Sequence, residues 1–467
     1  MRRLDDGLDP WSLPSLENPH LKEMNQSAID MSKLEIPSRS LLQLSWTVWD
    51  PQNPPRLTIW TVILYAWVCT TSVAILYYNQ PILAKLADEF DVDASTVSRI
   101  PTAMQAGSAT GLALICPAGD IMKRRSLIIT LLTLTMCSWV GLCFATNFTV
   151  FTVLSFLVAL TALVTQILLP LVGDISAPPH RTFHLSIVGS GITLGILLGR
   201  LTSGLIVFHL PWRTVYYFSL VTQLTSILLL YLFMPDYPAT NPNLSYPRAL
   251  FTTLTLPFHH PPILQTTLVL LFLASTHANF WTYLTFLLSD TYTLKTEAIG
   301  LFSLLALPGA ALNPLLTSLL QNRLHPALAA VTAASLILLA ITIGTTLGTL
   351  SLAAPVVQAT LHDAAFSFLQ IVARDVAYAV DDKARGRINA VLTVGIFVGN
   401  LLGTGVGGVV YPLLGWMGNG GVVLGFAAVG WGFALVRSPR EKGWWGWKGG
   451  WGMGRVGEEG REGKGCC

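Results

Sequence analysis

Residues 181–212 read RTFHLSIVGSGITLGILLGRLTSGLIVFHLPW, and residues 385–416 read RGRINAVLTVGIFVGNLLGTGVGGVVYPLLGW. The two stretches align without a gap at an offset of 204 residues, and ten of the 32 positions are identical. The matches include an arginine at the first position and a tryptophan at the last. Because sequential repeats of this length usually reflect a repeated structural unit, the alignment predicts two halves that share one orientation.

Glycine recurs at every fourth position along both stretches. This spacing places the glycines on one face of a helix, where the absence of side chains lets another helix backbone approach closely. We therefore assign six glycines to helix packing: Gly191, Gly195, Gly199, Gly395, Gly399 and Gly403.

The composition indicates a membrane protein. Of the 467 residues, 52% are hydrophobic and only 11% are charged, whereas soluble proteins carry roughly 25% charged residues. Apolar runs of about 20 residues are long enough to cross a bilayer. Twelve such spans are predicted, at 57–79, 100–118, 126–146, 150–174, 184–208, 213–234, 262–287, 298–320, 326–349, 351–374, 386–411 and 417–436. The predicted class is an all-α polytopic membrane protein with two six-helix halves.

These spans divide the chain into five regions. We expect a disordered cytosolic tail (1–56), a first six-helix half (57–234), a cytoplasmic central loop (235–261), a second half (262–436) and a low-complexity Gly/Trp-rich tail (437–467). With the N-terminus inside, the inner loops carry nine Lys and Arg residues and the outer loops four. This asymmetry predicts that both termini are cytoplasmic.

The plasma membrane is the expected location. Asn147 begins a weak glycosylation sequon in a very short outer loop.

Several stretches resemble the major facilitator superfamily, over about residues 57–436. They are LYYNQPIL (76–83), PAGDIMKRRSLI (117–128), TQILLPLVGD (165–174), GITLGILLGR (191–200), FWTYLTFLL (280–288) and ARGRIN (384–389). Within the superfamily the chain is similar to the 12-helix drug/metabolite:proton antiporters. The resemblance implies a substrate site between the two halves and a glycine face on the fifth helix that slides against the other half. The usual proline of the antiporter pattern is absent from that helix.

One carboxylate lies deep inside a predicted span. Asp363 is about eleven residues from either end of the tenth helix, and an ionisable group at such depth is by default functional. It is our first candidate for proton coupling. His277 and His362 are the alternatives because histidine titrates near neutral pH, although each could instead be a hydrogen-bonded core residue.

Polar side chains on the first, fourth, seventh and tenth helices could line a common cavity, or could instead hydrogen-bond between helices. Arg200, on the fifth helix, could extend outward to the membrane surface or face inward as an outer gate or a counter-charge to substrate. The cavity candidates are Tyr78, Asn79, Gln80, Gln166, Arg200, Asn279, Trp281 and Gln358. Their mixture of aromatic and polar groups favours amphipathic organic molecules.

The loop after the second helix resembles a family motif with an aspartate followed by basic residues. By this resemblance Asp120, Arg124 and Arg125 would form a cytoplasmic gate, and Asp174 would pair with one of the arginines. A plain cluster of membrane-anchoring charges is the alternative interpretation. Cys116 and Lys123 depart from the motif.

The sequence thus predicts a secondary transporter of a small organic molecule that works by alternating access, through proton-coupled efflux of the multidrug antiporter type. The alternatives are an uptake carrier for a sugar- or nucleoside-like solute, and a non-transporting receptor or sensor. We expect no enzymatic activity, catalytic residue, metal, organic cofactor or nucleic acid. The proton gradient is the expected coupling ion, and the lipid bilayer and the small substrate are the expected partners of a monomer. No GxxxxGK[ST] phosphate loop occurs.

Overall fold

The computed structural model describes residues 57–177, 180–239, 245–307, 324–380 and 385–436, apart from the side chains of Asp120, Thr182 and Arg385. The regular structure of these residues is helical. The helices are α1 (Ile59–Ala74), α2 (Leu83–Phe90), α3 (Ala94–Val97), α4 (Arg99–Leu114), α5 (Arg124–Phe144), α6 (Phe148–Thr161), α7 (Val164–Ile175), α8 (Arg181–His209), α9 (Arg213–Phe233), α10 (Tyr246–His259), α11 (Pro261–Phe286), α12 (Thr296–Leu301), α13 (Pro326–Leu347), α14 (Ala353–Tyr378) and α15 (Arg385–Leu435).

Within the described ranges, eight helical segments are long and apolar enough to cross a membrane. They are 124–144, 148–175, 183–209, 213–233, 261–291, 326–347, 353–378 and 386–435. Helix α1 and the segment 296–305 are apolar but shorter. The count of twelve spans and the division into two halves stay predictions. Both predicted tails and most of the predicted span 298–320 lie outside the described residues.

Four predicted spans differ from the helices found. The span 57–79 is helical only to Ala74, and short i to i−3 hydrogen bonds then lead into a 3₁₀ turn at Gln80–Ile82, where Pro81 has no N–H to continue an α-helix. The span 150–174 is divided into α6 and α7 by Ala162, whose ψ of 47° is not helical. The spans 386–411 and 417–436 are the two arms of α15, which reverses at Gly415 with φ of 64°, a value that suits glycine.

The outward surface is rich in large apolar side chains. Trp60, Phe144, Phe258 and Leu350 are each more than two-thirds exposed. Large exposed apolar areas are rare on soluble monomers, and they are the expected outer surface of helices surrounded by lipid.

The repeat glycines mediate two equivalent helix pairs. On α8, Gly191, Gly195 and Gly199 lie directly on the α1 backbone at Ala66, Thr70 and Ala74. On α15, Gly395, Gly399 and Gly403 lie on α11 at Thr267, Leu271 and Ser275. The predicted packing role agrees with these contacts.

The expectation that the α8 glycine face slides against the other half is wrong, because this face covers α1, which belongs to the same part of the chain. Helix α8 contacts the C-terminal part through Arg200, which lies on Trp281, and through Gly204, whose backbone touches that of Gly300 on α12.

We expect Gly399→Ala to destabilise the protein, because the added methyl group would overlap the Leu271 carbonyl oxygen. Overpacking of this kind costs roughly 1–3 kcal/mol. Gly425→Ala is the matched control on the same helix, since its methyl group would meet no atom within 4 Å. Thermal unfolding of the two detergent-solubilised variants checks this prediction, and equal midpoints would contradict it.

Candidate functional site

Two oppositely charged side chains lie at the same depth in the bundle. Arg200 is nine residues before the end of α8 at His209, and Asp363 is ten residues after the start of α14 at Ala353. At 1.5 Å per residue both lie about 14–15 Å from the same end, which also carries Arg213. We call this the Arg213 end and the opposite one the Arg124 end. Arg200 is 3% exposed and Asp363 is 7% exposed.

Asp363 is held by two donors on α11. The ring nitrogen Nε2 of His277 and the indole Nε1 of Trp281 each lie 3.0 Å from its Oδ1. The two donors are four residues apart and therefore project from one helix face. The His277 ring also stacks on Phe366 with centroids 4.9 Å apart. The structure thus brings together the first proton-coupling candidate and one of its two alternatives.

Arg200 faces inward, so the interpretation that it extends to the membrane surface is wrong. Its Nε donates to Oε1 of Gln80 at 2.7 Å. Its guanidinium carbon lies 3.9 Å from the centroid of the Trp281 ring and 5.0 Å from that of Tyr77. A cation over an aromatic face is attracted by the ring quadrupole, and this attraction offsets part of the cost of burying the charge.

Trp281 therefore joins the two charged groups. Its N–H edge donates to Asp363 while its ring face carries Arg200. Among the ion pairs of the described residues, Arg200 and Asp363 form no direct pair. The carboxylate instead acts on the guanidinium across the indole ring, in a region from which water is largely excluded.

A small cavity borders this cluster. It is lined by Gln80, Pro81, Arg200, Trp281, Leu284, Thr285, Ile299 and Ser303. Residues from both parts of the chain contribute, and Thr285 donates to the main-chain oxygen of Gln80 at 2.9 Å. The N-terminal and C-terminal parts thus meet at this cavity.

Three predicted cavity residues, Gln80, Arg200 and Trp281, come together here, and four others do not. Tyr78 packs against Trp139, and Asn79 donates to the Met104 sulfur at 2.8 Å. Asn279 exchanges hydrogen bonds with Asn419 and also donates to the Gly403 carbonyl. Gln358 lies tightly against Gly344. For these four the alternative of interhelical packing describes the structure better.

His362 is separate from the carboxylate. Its Nε2 lies 3.1 Å from the Thr276 hydroxyl, and it is fully buried with Nδ1 unpartnered. Its ring contacts that of His277 edge-on with centroids 5.6 Å apart. His362 therefore contacts His277, the partner of the carboxylate, and among the hydrogen bonds of the described residues none joins its side chain to Asp363.

A second, larger cavity lies at the Arg124 end. Gln166, the eighth predicted cavity residue, lines it together with Arg124 from the N-terminal part and Arg387 and Asn389 from the start of α15. It is therefore bordered by both parts of the chain, as the Arg200 cavity is.

Of the charged residues predicted to form a gate, Arg124 lines this second cavity. Arg124 donates to Asp174 at 3.0 Å, and the pair connects α5 to α7. Arg125 is directed elsewhere, donating to the Tyr231 carbonyl at 2.7 Å. The side chain of Asp120 lies outside the described residues. Lys123, which departs from the family motif, pairs with Asp236 at 3.1 Å.

Neither Tyr77 nor the Arg213–Glu89 ion pair was predicted from the sequence as part of a site. Tyr77 precedes two predicted cavity residues, but an aromatic residue in an apolar run is usually core. Arg213 donates to Glu89 at 2.8 Å, and this hydrogen bond lowers the pKa of the Glu89 carboxyl below its usual value.

Asn147 caps α6, because its side-chain oxygen accepts from the backbone of Thr149 and Val150.

Three comparisons place this architecture among known proteins. The chain is 32% identical over 244 residues to the uncharacterized transporter YgaY of Escherichia coli O157:H7, covering 51% of this chain and 61% of that protein. Its fold matches the human organic anion transporter MFSD10, with a TM-score of 0.60, 16% identity and coverage of 82% of this chain and all of that one. It also matches the nucleoside transporter NupG, with a TM-score of 0.64, 12% identity and coverage of 80% and 99%.

The identities to the solved structures are low, so these matches establish the fold alone. The family assignment comes from the sequence, because the model of the Major Facilitator Superfamily matches residues 63–379, more than half of the chain. The chain belongs to the Major Facilitator Superfamily and is a multi-pass membrane protein whose matched relatives are transporters.

Proposed function

We propose that this protein is a secondary transporter that moves a small organic molecule by alternating access and couples this movement to protons. The observation that carries the proposal is the partly buried Asp363–His277 pair. A carboxylate that shares a hydrogen bond with an imidazole offers two adjacent groups between which a proton can bind and leave.

Alternating access is supported by the unequal contacts between the two parts of the chain. Near the Arg213 end, Gly204 touches Gly300 and Asn400 donates to Gln105 at 3.2 Å. At the Arg124 end, a larger cavity is lined by Arg124, by α7 and by the start of α15. The positive-inside rule predicts that the Arg124 end is cytoplasmic, so the larger cavity at this end supports access from inside, with Arg124 beside the entrance.

Protons and substrate could be coupled at this site in two ways, by exchange or by co-transport. Efflux in exchange for protons is the sense that the antiporter resemblance favours. Uptake together with protons is the second candidate, and the lone buried cation Arg200 beside the proton site favours it. A receptor or sensor on the same fold would bind a ligand without moving it.

Reconstitution of the full chain into proteoliposomes tests these alternatives. Counterflow with a panel of amphipathic organic compounds should detect exchange, and an imposed pH gradient should drive accumulation that a protonophore abolishes. The direction of accumulation relative to the gradient distinguishes exchange from co-transport. Binding without counterflow would instead identify a receptor, and exchange that ignores every pH gradient would overturn proton coupling.

A further inference from the structure

The Arg200 guanidinium has unused hydrogen-bonding capacity. Of its five N–H groups, the one on Nε donates to Gln80, whereas Nη2 is buried and has no hydrogen-bond partner. Buried polar groups are normally satisfied, and a guanidinium is well matched to an acceptor with two oxygens. Among the described residues, Nη2 of Arg200 therefore has no acceptor.

The surrounding groups do not neutralise this charge directly. Trp281 and Tyr77 contact the guanidinium with their ring faces, which leaves its planar edge available for hydrogen bonds. The nearest carboxylate, Asp363, accepts from His277 and Trp281 instead. No acidic residue is among the described residues that line the cavity beside Arg200, so this edge is available to an acceptor from outside the chain.

The cavity also limits the chemistry of that acceptor. Its hydroxyl groups are already engaged, because Thr285 donates to Gln80 and Ser303 donates to the Gly300 carbonyl. The remaining lining is mostly apolar and aromatic, including Leu284 and Ile299. One cation in an apolar cavity suits a monoanion attached to a hydrophobic body better than a phosphate or sulfate dianion, which would require further positive charge.

We propose that the free edge of Arg200 binds a carboxylate of the transported molecule, so that the substrates are amphipathic organic monocarboxylates. This rests on the proposed function for the transport step and deepens it by naming the substrate class. Because the negative charge of Asp363 acts on Arg200 across Trp281, a proton on Asp363 strengthens carboxylate binding. The proton and the carboxylate then favour each other, which selects co-transport over exchange for these substrates.

Matched pairs of small molecules test the charge requirement on the purified full chain. Benzoate, phenylacetate and octanoate are compared with benzamide, phenylacetamide and octanamide, with thermal stabilisation and equilibrium binding as readouts. At least one carboxylate should bind about tenfold more tightly than its amide, the effect of one charge-assisted hydrogen bond. Its affinity should rise as the pH is lowered, because a proton on the Asp363–His277 pair removes negative charge beside Arg200, and Asp363→Asn should remove this pH dependence.

Variants assign the effect to Arg200. Arg200→Gln should abolish the preference for the carboxylate, and Arg200→Lys should keep it with weaker affinity. Arg374→Gln is the matched control, because this arginine on α14 uses its donors on Gln370 and Asn389; it should keep the full preference. If Arg200→Gln does not fold, the unaltered chain and Arg200→Lys still give the comparison.

The inference is overturned if no carboxylate binds more tightly than its amide to the unaltered chain, or if Arg200→Gln retains the preference. Proton-driven transport of neutral compounds alone would overturn it and leave the proposed function standing. Carboxylate binding without any transport would support the site and contradict the proposed function.

Discussion

Asp363→Asn should abolish transport driven by a pH gradient while leaving substrate exchange intact. The amide has nearly the shape of the carboxylate and keeps an oxygen that can accept from His277 and Trp281. It cannot gain or lose a proton, so the gradient loses the group that we propose as the coupling site. Gradient-driven accumulation and counterflow, measured in the same proteoliposomes, check the two halves of this prediction.

Glu89→Gln is the control for the loss of a carboxylate elsewhere. The hydrogen bond from Arg213 lowers the pKa of Glu89, so this group adds stability above its unfolded pKa and loses it only as the pH falls through the lowered folded pKa. It stays ionised in a neutral transport assay, and gradient-driven transport should be unchanged in Glu89→Gln. Undiminished gradient-driven transport by Asp363→Asn would exclude Asp363 as the coupling site and return attention to His277 and His362.

The helix-packing features were largely predictable from the sequence because they depend on local spacing. Glycines at every fourth position must share one helix face, and Gly399 and Gly195 do lie against neighbouring backbones. The identity of the neighbour could not be predicted in the same way. Which helix covers a smooth face depends on contacts far apart in the chain, and the covering helices proved to be α1 and α11.

The sequence predicted how deep the candidate site residues lie in the membrane, but for some of them it did not predict the direction in which the side chain points. The position of Asp363 within its span identified it as buried, but its partners come from α11, 82 and 86 residues away. Asn279 and Gln358 have the same polar character as Gln80 and yet fill packing positions. A polar side chain in a membrane helix needs a hydrogen-bond partner. The rotation of the helix about its own axis determines whether that partner lies on another helix or in the central cavity, and composition does not indicate this rotation.

Trp281→Phe should reduce gradient-driven transport about tenfold. The phenyl ring keeps an aromatic face for Arg200 but loses the N–H that donates to Asp363, and a hydrogen bond to a charged group contributes about 1.5–3 kcal/mol. Trp281→Ala should have a larger effect because both contacts are lost, together with roughly 3–5 kcal/mol of stability from the cavity that it leaves. Initial rates in proteoliposomes, with thermal unfolding of the same variants, measure the two effects separately.

Trp139→Phe provides the matched control for a lost indole hydrogen bond. Trp139 is also buried, and its Nε1 donates to the Tyr216 carbonyl at 3.0 Å, away from the charged cluster. Both phenylalanine variants should lose stability, because each leaves an oxygen with one donor fewer. Only Trp281→Phe should slow proton-driven transport. Equal transport rates in the two variants would mean that Trp281 fills space beside Arg200 and does not connect the proton site to it.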